Sequence, residues 1–503
     1  MNENNEIINY NGEFEKIPTG KKYAPRIKSV FPGEEKYTES LKESIIKSGL
    51  SDGMTISFHH HFRNGDYILN NVLDIIADLG IKDLTLAASS LATVHEPIIQ
   101  HIENGIVTEI LTSGLRGKLA SEISSGLLKK PVIIRSHGGR ARAIEAGDIK
   151  IDVAFLGAPS ADVYGNANSV KGHSICGSLG YAKVDAEYAE HVIVITDCLI
   201  DYPNYPASIS QKNVDQVVKV NAIGDPDKIS TGATRFTKNP KELLMAENVA
   251  QIIQETKYFK DGFSFQTGSG GASLAVTRFL REAMIEKSIK ASFVLGGITK
   301  PMVEMYEEGL IKTLFDVQSF DKTAAKSIKN NEEHFEIDAS LYANPHNKGN
   351  IVNKLDVVVL SALEIDVNFD VNVITGSNGK IMGASGGHSD TAACAKLTVV
   401  VAPLFRGRIP TVVKKIHNVI TPGSSIDILV TERGIAINPL REDLMDVFEE
   451  SRLNITKIQN LEKIARDYCG ERKPVKFTDQ TVGIIEYRDG TVIDLIKAVE
   501  NNA

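Results

Sequence analysis

The chain has 503 residues, of which 42% are hydrophobic and 24% are charged, and its formal net charge at pH 7 is −8. This composition predicts a folded protein with well-buried cores, and the net negative charge argues against a nucleic-acid partner. No apolar run reaches the ~18 residues that span a bilayer, and the polar start MNENNEIINYNGE is unlike a signal peptide, so we expect a cytoplasmic protein that binds no membrane.

The cysteines are too sparse for a disulfide framework. They form no C-x-x-C pair, which predicts reduced thiols. Cys394 lies just past a glycine-rich stretch, but alanines surround it, so we interpret it as a small core residue rather than a nucleophile. The other three are Cys176, Cys198 and Cys469.

The pattern along the first half of the chain predicts an arm followed by an α/β domain. Residues 1–30 are rich in Asn, Glu and Lys and are interrupted by Pro18 and Pro25, which predicts an extended arm. Strands are then predicted at 53–58, 83–88, 107–111, 132–135, 153–156 and 192–196, and helices at 38–48, 67–79, 97–104 and 119–128. This alternation is typical of a mostly parallel sheet and predicts a first domain over residues 31–225.

Three consecutive histidines, His59, His60 and His61, follow the first predicted strand. Three adjacent positions cannot all face one ion, and the H-x-x-x-H and H-x-x-E-H spacings are absent, so we predict no metal site. We expect one imidazole, that of His60, to face a cleft and to bind substrate.

The second half of the chain repeats the first. Residues 153–168 (VAFLGAPSADVYGNAN) align with residues 357–372 (VVVLSALEIDVNFDVN) at an offset of 204 (357 − 153), and residues 97–105 align with 301–309 at the same offset. Two further pairs have nearly the same offset: residues 81–82 align with 289–290, and the predicted strand 192–196 aligns with 397–401. Four matches in one order predict two homologous α/β domains, with a linker over 226–245 and a second domain over 246–503 that includes a C-terminal hairpin.

Two glycine-rich stretches follow predicted strands of the second domain. The first is TGSGG, with Gly268, Gly270 and Gly271 before a predicted helix, and the second is LGGITKP, a predicted loop with Gly296 and Gly297. G-x-G-G is not the dinucleotide fingerprint G-x-G-x-x-G. Because loops at the carboxyl ends of parallel strands share one edge of a sheet, we expect both stretches to face one cleft.

A third stretch, GKIMGASGGHSDTAACA at residues 379–395, predicts a backbone donor site. Ser389 or Asp390 is expected to cap a short helix, ahead of a buried strand at 397–401. The N–H groups of Gly386 and Gly387 then suit a phosphate, a carboxylate or the oxyanion formed when a thioester is attacked. The same glycines also fit a tight turn with only a steric role, and His388 fits either a functional histidine or one bonded to backbone.

The sequence resembles the CoA-transferase superfamily. The second half of that family is similar to three segments here, LSALEIDVNFDVN, GKIMGASGGHSDTAACAK and LTVVVAP. Its closing hairpin is similar to ILVTERGIAI, and its other half is similar to DVAFLGAPSADVYGNAN. With LGGITKP and YRDGTVIDLI, the resemblance extends over nearly the whole chain and is nearest to the transferase subunits of citrate-cleaving complexes.

The resemblance implies a reaction, partners and site residues. The reaction is exchange of an acetyl for a citryl group on an acyl-carrier thioester, with citrate consumed and acetate released. The expected partners are a citryl-cleaving subunit and an acyl carrier protein in one oligomeric complex, and the chain itself is expected to bind no cofactor beyond the carrier's CoA-type thioester or free CoA. Gly386, Gly387 and His388 are the expected catalytic residues, and the expected thioester contacts are Gly268, Gly270, Gly271, Gly296, Gly297 and Asp390.

The sequence departs from the family at one position. Many CoA-transferases carry a nucleophilic glutamate in the turn that reads LGGITKP here, and this turn has no carboxylate. Glu304 is expected to face away and Glu364 to act behind the site. We therefore expect no covalent glutamyl thioester: the substrate's own carboxylate would attack, forming a mixed anhydride while the protein supplies position and an oxyanion hole.

The cations that would bind citrate are not fixed by the sequence. His60, Arg140 and Arg406 are the predicted substrate contacts, and loop position also admits Arg116, Arg135, Arg142 and Lys300. Other functions stay open: a different acyl-CoA:carboxylate transferase, an acyl-CoA hydrolase, a sugar-phosphate isomerase, which needs only one such domain, or a non-catalytic assembly module, which needs no glycine loops at one edge.

Overall fold

The computed structural model describes residues 9–12, 24–25, 28–232 and 234–500. The arm predicted over residues 1–30 therefore lies mostly outside the described residues. Among the described residues, no helix is both long enough and apolar enough to cross a membrane.

The strands are short and mostly buried, as the apolar runs predict. Those of the first half are β1 (Tyr37–Thr38), β2 (Thr55–Phe58), β3 (Leu84–Ala88), β4 (Val107–Thr112), β5 (Val132–Ile134), β6 (Val153–Gly157), β7 (Ser160–Ala161), β8 (Ala167–Asn168), β9 (His191–Thr196) and β10 (Gln216–Lys219). Those of the second half are β11 (Ser264–Thr267), β12 (Phe293–Ile298), β13 (Leu314–Ser319), β14 (His334–Glu336), β15 (Val357–Leu360), β16 (Glu364–Asp366), β17 (Val371–Asn372), β18 (Leu397–Val401), β19 (Phe405–Arg406), β20 (Ile409–Pro410), β21 (Val412–Val413), β22 (Ile428–Thr431), β23 (Gly434–Ile437), β24 (Phe477–Glu486) and β25 (Val492–Val499).

The helices cover the faces of two sheets. They are α1 (Leu41–Lys47), α2 (Ile68–Asp78), α3 (Ile98–Glu103), α4 (Gly117–Ser124), α5 (His137–Glu145), α6 (Gly180–Tyr188), α7 (Pro240–Glu255), α8 (Gly271–Glu286), α9 (Lys300–Glu307), α10 (Lys322–Asn330), α11 (Ala339–Ala343), α12 (His388–Ala392), α13 (Glu442–Phe448) and α14 (Ile458–Cys469). The four helices predicted in the first half correspond to α1–α4. Helix α5 was not predicted because its residues are buried on every side, which removes the amphipathic periodicity.

Each half of the chain builds one large sheet, so the α/β prediction is confirmed. The first sheet has ten strands in the order β1-β10-β9-β6-β2-β3-β4-β5-β24-β25, and the second has eight in the order β14-β13-β12-β11-β15-β18-β22-β23. Pairing is parallel throughout except in the hairpins β24–β25 and β22–β23. The hairpin β22–β23 is the segment ILVTERGIAI.

The predicted duplication is visible in the strand order. The run β9-β6-β2-β3-β4-β5 of the first sheet has the same connectivity as β18-β15-β11-β12-β13-β14 of the second. The aligned helices α3 and α9 are each followed, two residues after their last residue, by a glycine with φ of +72°, Gly105 or Gly309. The backbone N–H of Lys82 donates to Asp52, and that of its counterpart Lys290 donates to Asp261.

The predicted second domain needs one correction, at its C-terminal end. β24 pairs in parallel with β5, which places β24 and β25 in the first sheet although they belong to the range 246–503. A buried ion pair between Arg135 and Glu486, 2.6 Å apart, holds them there. The two halves are therefore interlocked, and their sheets lie on either side of a cleft.

Candidate active site

A cleft of about 680 Å³ lies between the two domains, at the carboxyl ends of strands from both sheets. The first domain contributes the turn after β2 and the starts of α4 and α5. The second contributes the ends of β11, β12 and β13 and the glycine turn before α12. The residues that line the cleft include His60, Arg63, Asn64, Thr93, Arg116, His137, Tyr181, Gly268, Gly297, Gln318, Phe320, Tyr342, Ser361, Ala362, Gly383, Ser385, Gly386, Gly387, His388 and Arg406.

The turn Ser385–Gly387 presents backbone donors to the cleft. The first domain holds it from behind: the N–H of Ser385 donates to the carbonyl of Ser113, and the N–H of His137 donates to the carbonyl of Gly386, both at 2.8 Å. Gly386 has φ of +55°, a conformation that favours glycine. The N–H groups of Gly386 and Gly387 donate to no group among the described residues, so this geometry fits an oxyanion site.

The cap predicted for the following helix is wrong. Helix α12 begins at His388, its N-cap is Gly387, and no side chain caps it. Gly387 has a φ of −94°, which any residue can adopt. Glycine is needed here because there is no room for a side chain. A Cβ at this position would overlap the hydroxyl of Tyr342.

Asp390 does not reach the cleft, contrary to its predicted thioester contact. Its side chain is fully buried, where it accepts hydrogen bonds from the N–H of Gly138 at 2.8 Å and from the hydroxyl of Ser136 at 2.7 Å. The guanidinium of Arg488 lies 3.6 Å away. Burial raises the pKa of this carboxyl. Asp390 thus joins α12 to the first domain and to the hairpin β24–β25.

His388 lies in the cleft wall with both ring nitrogens hydrogen-bonded. Its Nε2 is 3.0 Å from the carbonyl of Ser361, so this nitrogen carries the proton, and Nδ1 accepts from the hydroxyl of Thr421 at 2.7 Å. Burial lowers the pKa of His388 to about 4. These contacts match the alternative interpretation of His388 as a histidine bonded to backbone.

His60 faces the cleft, whereas His59 and His61 pair with each other, Nδ1 to Nδ1, at 3.0 Å. The Nδ1 of His60 lies 2.6 Å from the hydroxyl of Ser89, and its Nε2 lies 3.1 Å from the side-chain oxygen of Gln318 in the second domain. Within the described residues, no group of three or more His, Cys, Asp or Glu could hold a metal ion. His60 therefore bridges the two domains across the floor of the cleft.

Aromatic rings form the rest of this floor. Tyr181 packs against His137 and His60, with ring centroids 4.5 and 4.8 Å apart. Burial lowers the pKa of His137 to about 3 and that of His60 well below its ordinary value, and it raises the pKa of Tyr181 and Tyr342. At neutral pH all these rings are uncharged, so the positive charge of the cleft comes from its arginines.

Some of the glycines predicted to contact the thioester line the cleft, and the others are packed behind it. Gly268 and Gly297 line the cleft, and Gly270, Gly271 and Gly296 do not. The predicted loop LGGITKP is wrong at its start, because β12 continues to Ile298 with a register shift between Gly296 and Gly297. A Cβ at Gly271 would overlap the side chain of Arg235, so these glycines allow close packing of the linker and the neighbouring strands.

Only some of the predicted cations reach the cleft. Arg140 is buried outside it in a two-pronged ion pair with Asp185, at 2.7 and 2.9 Å, so its predicted contact with substrate is wrong. Arg406 lines the cleft and donates to the carbonyl of Ala362 at 2.8 Å and to the hydroxyl of Thr411 at 3.0 Å. Among the other candidates Arg116 lines the cleft, whereas Arg135, Arg142 and Lys300 are paired elsewhere with Glu486, Asp148 and Glu304.

Arg63 is a cleft residue that sequence reasoning missed. It has φ of +55°, and its guanidinium lies 4.8 Å from the ring centre of Phe320 in the second domain. Its Nε and Nη2 atoms are buried without a hydrogen-bond partner. The signal available in the sequence was its position in HHHFRNGD, directly after the histidines in the turn that follows β2.

The wall of the cleft contains no Asp or Glu among the described residues. Glu304, on the outer helix α9, pairs with Lys300 at 3.5 Å, and its side chain is 50% exposed. Glu364 is buried and pairs with Arg472 at 2.7 Å. Neither carboxylate lines the cleft, in agreement with the expectation that Glu304 faces away and Glu364 lies behind the site.

Comparison with known proteins identifies close relatives over almost the whole chain. The model of the family described as "Citrate lyase, alpha subunit (CitF)" matches residues 34–499. The citrate lyase alpha chain of Klebsiella pneumoniae is 55% identical over 469 residues, covering 93% of this chain and 92% of the relative. That of Haemophilus influenzae is 54% identical over 468 residues, covering 93% and 94%.

The same relationship appears among solved structures. A putative alpha subunit of citrate lyase from Streptococcus mutans, solved in complex with citrate, has a TM-score of 0.95 and 57% identity, covering 97% of this chain and 96% of the other. The alpha subunit of a malonate decarboxylase from Acinetobacter baumannii has a TM-score of 0.63 at 15% identity, covering 87% and 85%, which shows a shared fold only.

Proposed function

This chain belongs to the citrate lyase alpha-subunit family, and we propose that its cleft carries out the reaction of that family. The reaction is citrate CoA-transfer: an acetyl group on a carrier thioester is exchanged for a citryl group, and acetate is released. As an alpha subunit, the chain works in a complex with other subunits. The proposal concerns the chemical route, the residues and the identity of those partners.

The proposed route has two displacement steps. A carboxylate oxygen of citrate attacks the acetyl carbonyl, the C–S bond breaks, and the carrier leaves as a thiolate beside a mixed acetyl–citryl anhydride. The thiolate then attacks the citryl carbonyl, the anhydride C–O bond breaks, and acetate leaves. Each step forms one bond and breaks one, and the sum consumes no proton.

The observation that carries this route is the absence of Asp and Glu from the described cleft wall. A glutamyl-enzyme route needs a carboxylate of the protein within reach of the thioester carbonyl. Glu304 and Glu364 are instead paired outside the cleft. The attacking carboxylate is therefore that of the substrate, and the protein contributes position and electrostatic stabilisation.

Both displacement steps pass through a tetrahedral oxyanion, for which the turn Ser385–Gly387 is suited. Gly386 and Gly387 line the cleft, and their N–H groups donate no hydrogen bond among the described residues. Because the first domain fixes this turn through Ser113 and His137, the donors need no reorganisation when charge develops. His388, bonded on both nitrogens, holds the end of the turn in place.

The neutral histidines fit a route without proton transfer. A general base for a water or alcohol would need a pKa near neutral, whereas burial keeps the pKa values of His60, His137 and His388 far below it. We propose that Arg406 donates a hydrogen bond to citrate, and that His60 does so by transferring its Nε2–H from Gln318 to a citrate carboxylate. Gly268 and Gly297 leave space for the extended arm that carries the thioester.

We propose a beta, citryl-cleaving subunit and a gamma, acyl carrier subunit as partners, in the cytoplasm. The match to a family described as the alpha subunit of a lyase supports partners on other chains. The chain would hold no cofactor of its own, and the CoA-type thioester would arrive on the carrier or as free CoA.

The route is tested by the fate of one oxygen atom. Enzyme in excess is mixed with acetyl-CoA and citrate labelled with ¹⁸O in its carboxylates, and the acetate of a single turnover is analysed by mass spectrometry. On the anhydride route the attacking citrate oxygen leaves with the acetate, so the first acetate carries ¹⁸O. On a glutamyl route the first acetate takes its oxygen from the protein and is unlabelled.

Two further measurements complete this test. Borohydride or hydroxylamine trapping during turnover should leave the protein unmodified, and a labelled peptide containing Glu304 or Glu364 would overturn the proposal. Succinate and acetoacetate, offered in place of citrate, show whether the acceptor is citrate in particular. Transfer to either at the rate found with citrate would identify a different CoA-transferase.

A further inference from the structure

Two of the three arginines that line the cleft have no hydrogen-bonding partner for their guanidinium groups among the described residues. Arg63 and Arg116 form no ion pair or hydrogen bond among the described residues, whereas Arg140, Arg142 and Arg441 are each paired with a carboxylate. The Nε and Nη2 atoms of Arg63 are buried from solvent and have no acceptor. A buried guanidinium nitrogen without an acceptor is costly, because its hydration is lost and nothing replaces it.

The two guanidinium groups share one wall of the cleft. Arg63 lies in the turn after β2, and Arg116 precedes α4. Thr93 connects the two turns. Its hydroxyl donates to Asn64, next to Arg63, at 2.8 Å, and a Cβ at Gly117, next to Arg116, would lie 2.9 Å from its side chain. Burial, and in addition the charge of Arg116, lowers the pKa of Arg63 to about 10, which still leaves both groups charged.

The backbone around Arg63 is arranged to hold this group in place. Arg63 is one of five non-glycine residues with positive φ among the described residues, and such a conformation is maintained only when the surroundings fix it. Its guanidinium lies over the ring of Phe320, which keeps it at the interface of the two domains. The charge of Arg116 disfavours that of Arg63, while Asp316 and Asp321 favour it without forming an ion pair with it, so an anion bound between the two arginines would stabilise both.

We propose that Arg63 and Arg116 bind a carboxylate group of the substrate that does not react, and that they thereby select a polycarboxylate acceptor. The inference rests on the proposed function and assigns one part of the cleft within it. A guanidinium fork matches a carboxylate with two parallel hydrogen bonds. Arg406 is less free for this role because it already donates to Ala362 and Thr411.

The consequence is a difference between citrate and acetate as acceptors. Citrate fills the Arg63–Arg116 subsite with one carboxylate while another attacks the thioester. Acetate has a single carboxylate, which must react, so the subsite stays empty. The leaving acetate is then bound more weakly than the entering citrate, so acetate competes poorly with citrate for the cleft.

The test compares two reactions of the same full-length protein. One is transfer from acetyl-CoA to citrate; the other is exchange of ¹⁴C-labelled acetate into acetyl-CoA, which uses the same turn and the same chemistry but has no second carboxylate. The variants are Arg63→Gln and Arg116→Gln, and the matched control is Arg278→Gln, an exposed arginine paired with Glu282 on the outer helix α8. Thermal melting accompanies each variant.

For Arg63→Gln and Arg116→Gln we expect kcat/KM with citrate to fall by roughly 10²-fold, the loss typical of removing a charged hydrogen-bonding partner in a desolvated site. Acetate exchange should be retained, which also reports that the variant is folded. Arg63→Lys should recover part of the citrate activity, because it restores the charge without the fork. Arg278→Gln should change neither reaction.

Each other outcome overturns the subsite. If both reactions fall together in a folded variant, the arginines act at the reacting centre rather than on a second carboxylate; if citrate transfer is unchanged, they do not bind it. If Arg63→Gln does not fold, the result for Arg63→Lys and Arg116→Gln decides in the same way. Failure of the proposed function looks different, since the unmodified protein would then catalyse neither reaction.

Discussion

The two halves of this chain contain the same turn and use it in opposite ways. Residues 169–179 of the first domain and 373–387 of the second each follow a short hairpin, β7–β8 or β16–β17, and each precede a helix, α6 or α12. In the first domain the donors are occupied by the second: the N–H of Ser178 donates to Ser319 at 3.2 Å, and the N–H of Leu179 donates to Glu336 at 2.6 Å.

In the second domain the last two N–H groups of the turn stay without a partner. The first domain donates to the carbonyls of Gly383 and Gly386 and accepts from the N–H of Ser385, and the N–H groups of Gly386 and Gly387 donate to no described residue. One copy of the turn is thus an interdomain joint, and the other has two N–H groups available for the proposed oxyanion. The difference lies in which backbone groups the partner domain occupies.

The largest expected effect comes from Gly387→Ala. Its φ of −94° accepts alanine, so the substitution acts only through the overlap of the new Cβ with the hydroxyl of Tyr342, which displaces the turn. Loss of an oxyanion donor typically lowers turnover by ~10²–10³-fold. We expect that loss in kcat for both citrate transfer and acetate exchange, with little change in the melting temperature.

The control for Gly387→Ala is the double variant with Tyr342→Phe, which removes the overlapping oxygen. The double variant should recover part of the turnover lost by Gly387→Ala, and Tyr342→Phe alone should lose less. If Gly387→Ala folds and keeps near-normal turnover, the turn has only a steric role, and the donor site must be sought at Gly268.

The corresponding change in the first domain is Gly177→Ala, and it should act on stability. Gly177 has φ of +75°, and a Cβ there would overlap the side chain of Ser319 in the second domain. Strain and overlap together should lower the free energy of unfolding by roughly 2 kcal/mol. Denaturant unfolding measures it, and turnover of the folded protein should be largely retained.

Gly105→Ala is the matched control for Gly177→Ala. Gly105 has a similar φ of +72° with open space around it, so its substitution reports backbone strain alone, about 1 kcal/mol. The excess for Gly177→Ala is the contribution of the interdomain contact. Equal losses for the two variants would show that the first turn does not join the domains.

The smallest expected effect is that of pH on the rate of transfer at the turn Ser385–Gly387. Burial lowers the pKa values of His137 and His388 to about 3 and about 4, so no histidine of the turn changes charge near neutrality. We expect the rate of transfer to vary by less than about two-fold between pH 6.5 and 8, because the route moves no proton. A rate that follows a group titrating near 7 would contradict this.

The same shifts set the direction of acid stability. In the unfolded chain these histidines bind protons below about 6.5, whereas in the folded chain they do so only near 3 to 4. Since the unfolded state binds more protons in this window, the contribution of both histidines is fully present above pH 6.5 and is lost as the pH falls. Thermal melting between about pH 7 and 5 should show the decline.

The fold was largely predictable from the sequence because its signals are local. Runs such as Leu397–Val401 are buried strands, and the repeat at an offset of 204 corresponds to two sheets of equal connectivity. The glycine turn before α12 was found for the same reason, since several glycines in a few residues indicate close approach. Asp390 was misread as a cap because its partners, Ser136 and Arg488, are distant in sequence.

The arginines show why the rest of the site could not be predicted. Arg140 and Arg63 both follow closely on a buried strand and a histidine of the first domain, and no local pattern in the sequence tells which of them is paired. What separates them is Asp185, 45 residues along the chain from Arg140, which binds one guanidinium and leaves the other free. Which arginines of a cleft are unpaired depends on contacts between residues far apart in the sequence, so it cannot be predicted from any one segment.

Because β24 and β25 belong to the first sheet, the first domain cannot be completed until the second half of the chain has been synthesised. Arg135 and Glu486 are 351 residues apart in the chain, so on the ribosome β5 remains an open strand edge until β24 has emerged. Closing so long a loop is slow, and the nascent first domain must avoid pairing with other chains meanwhile. A premature stop before β24 would therefore expose an edge in the half of the protein that was made first.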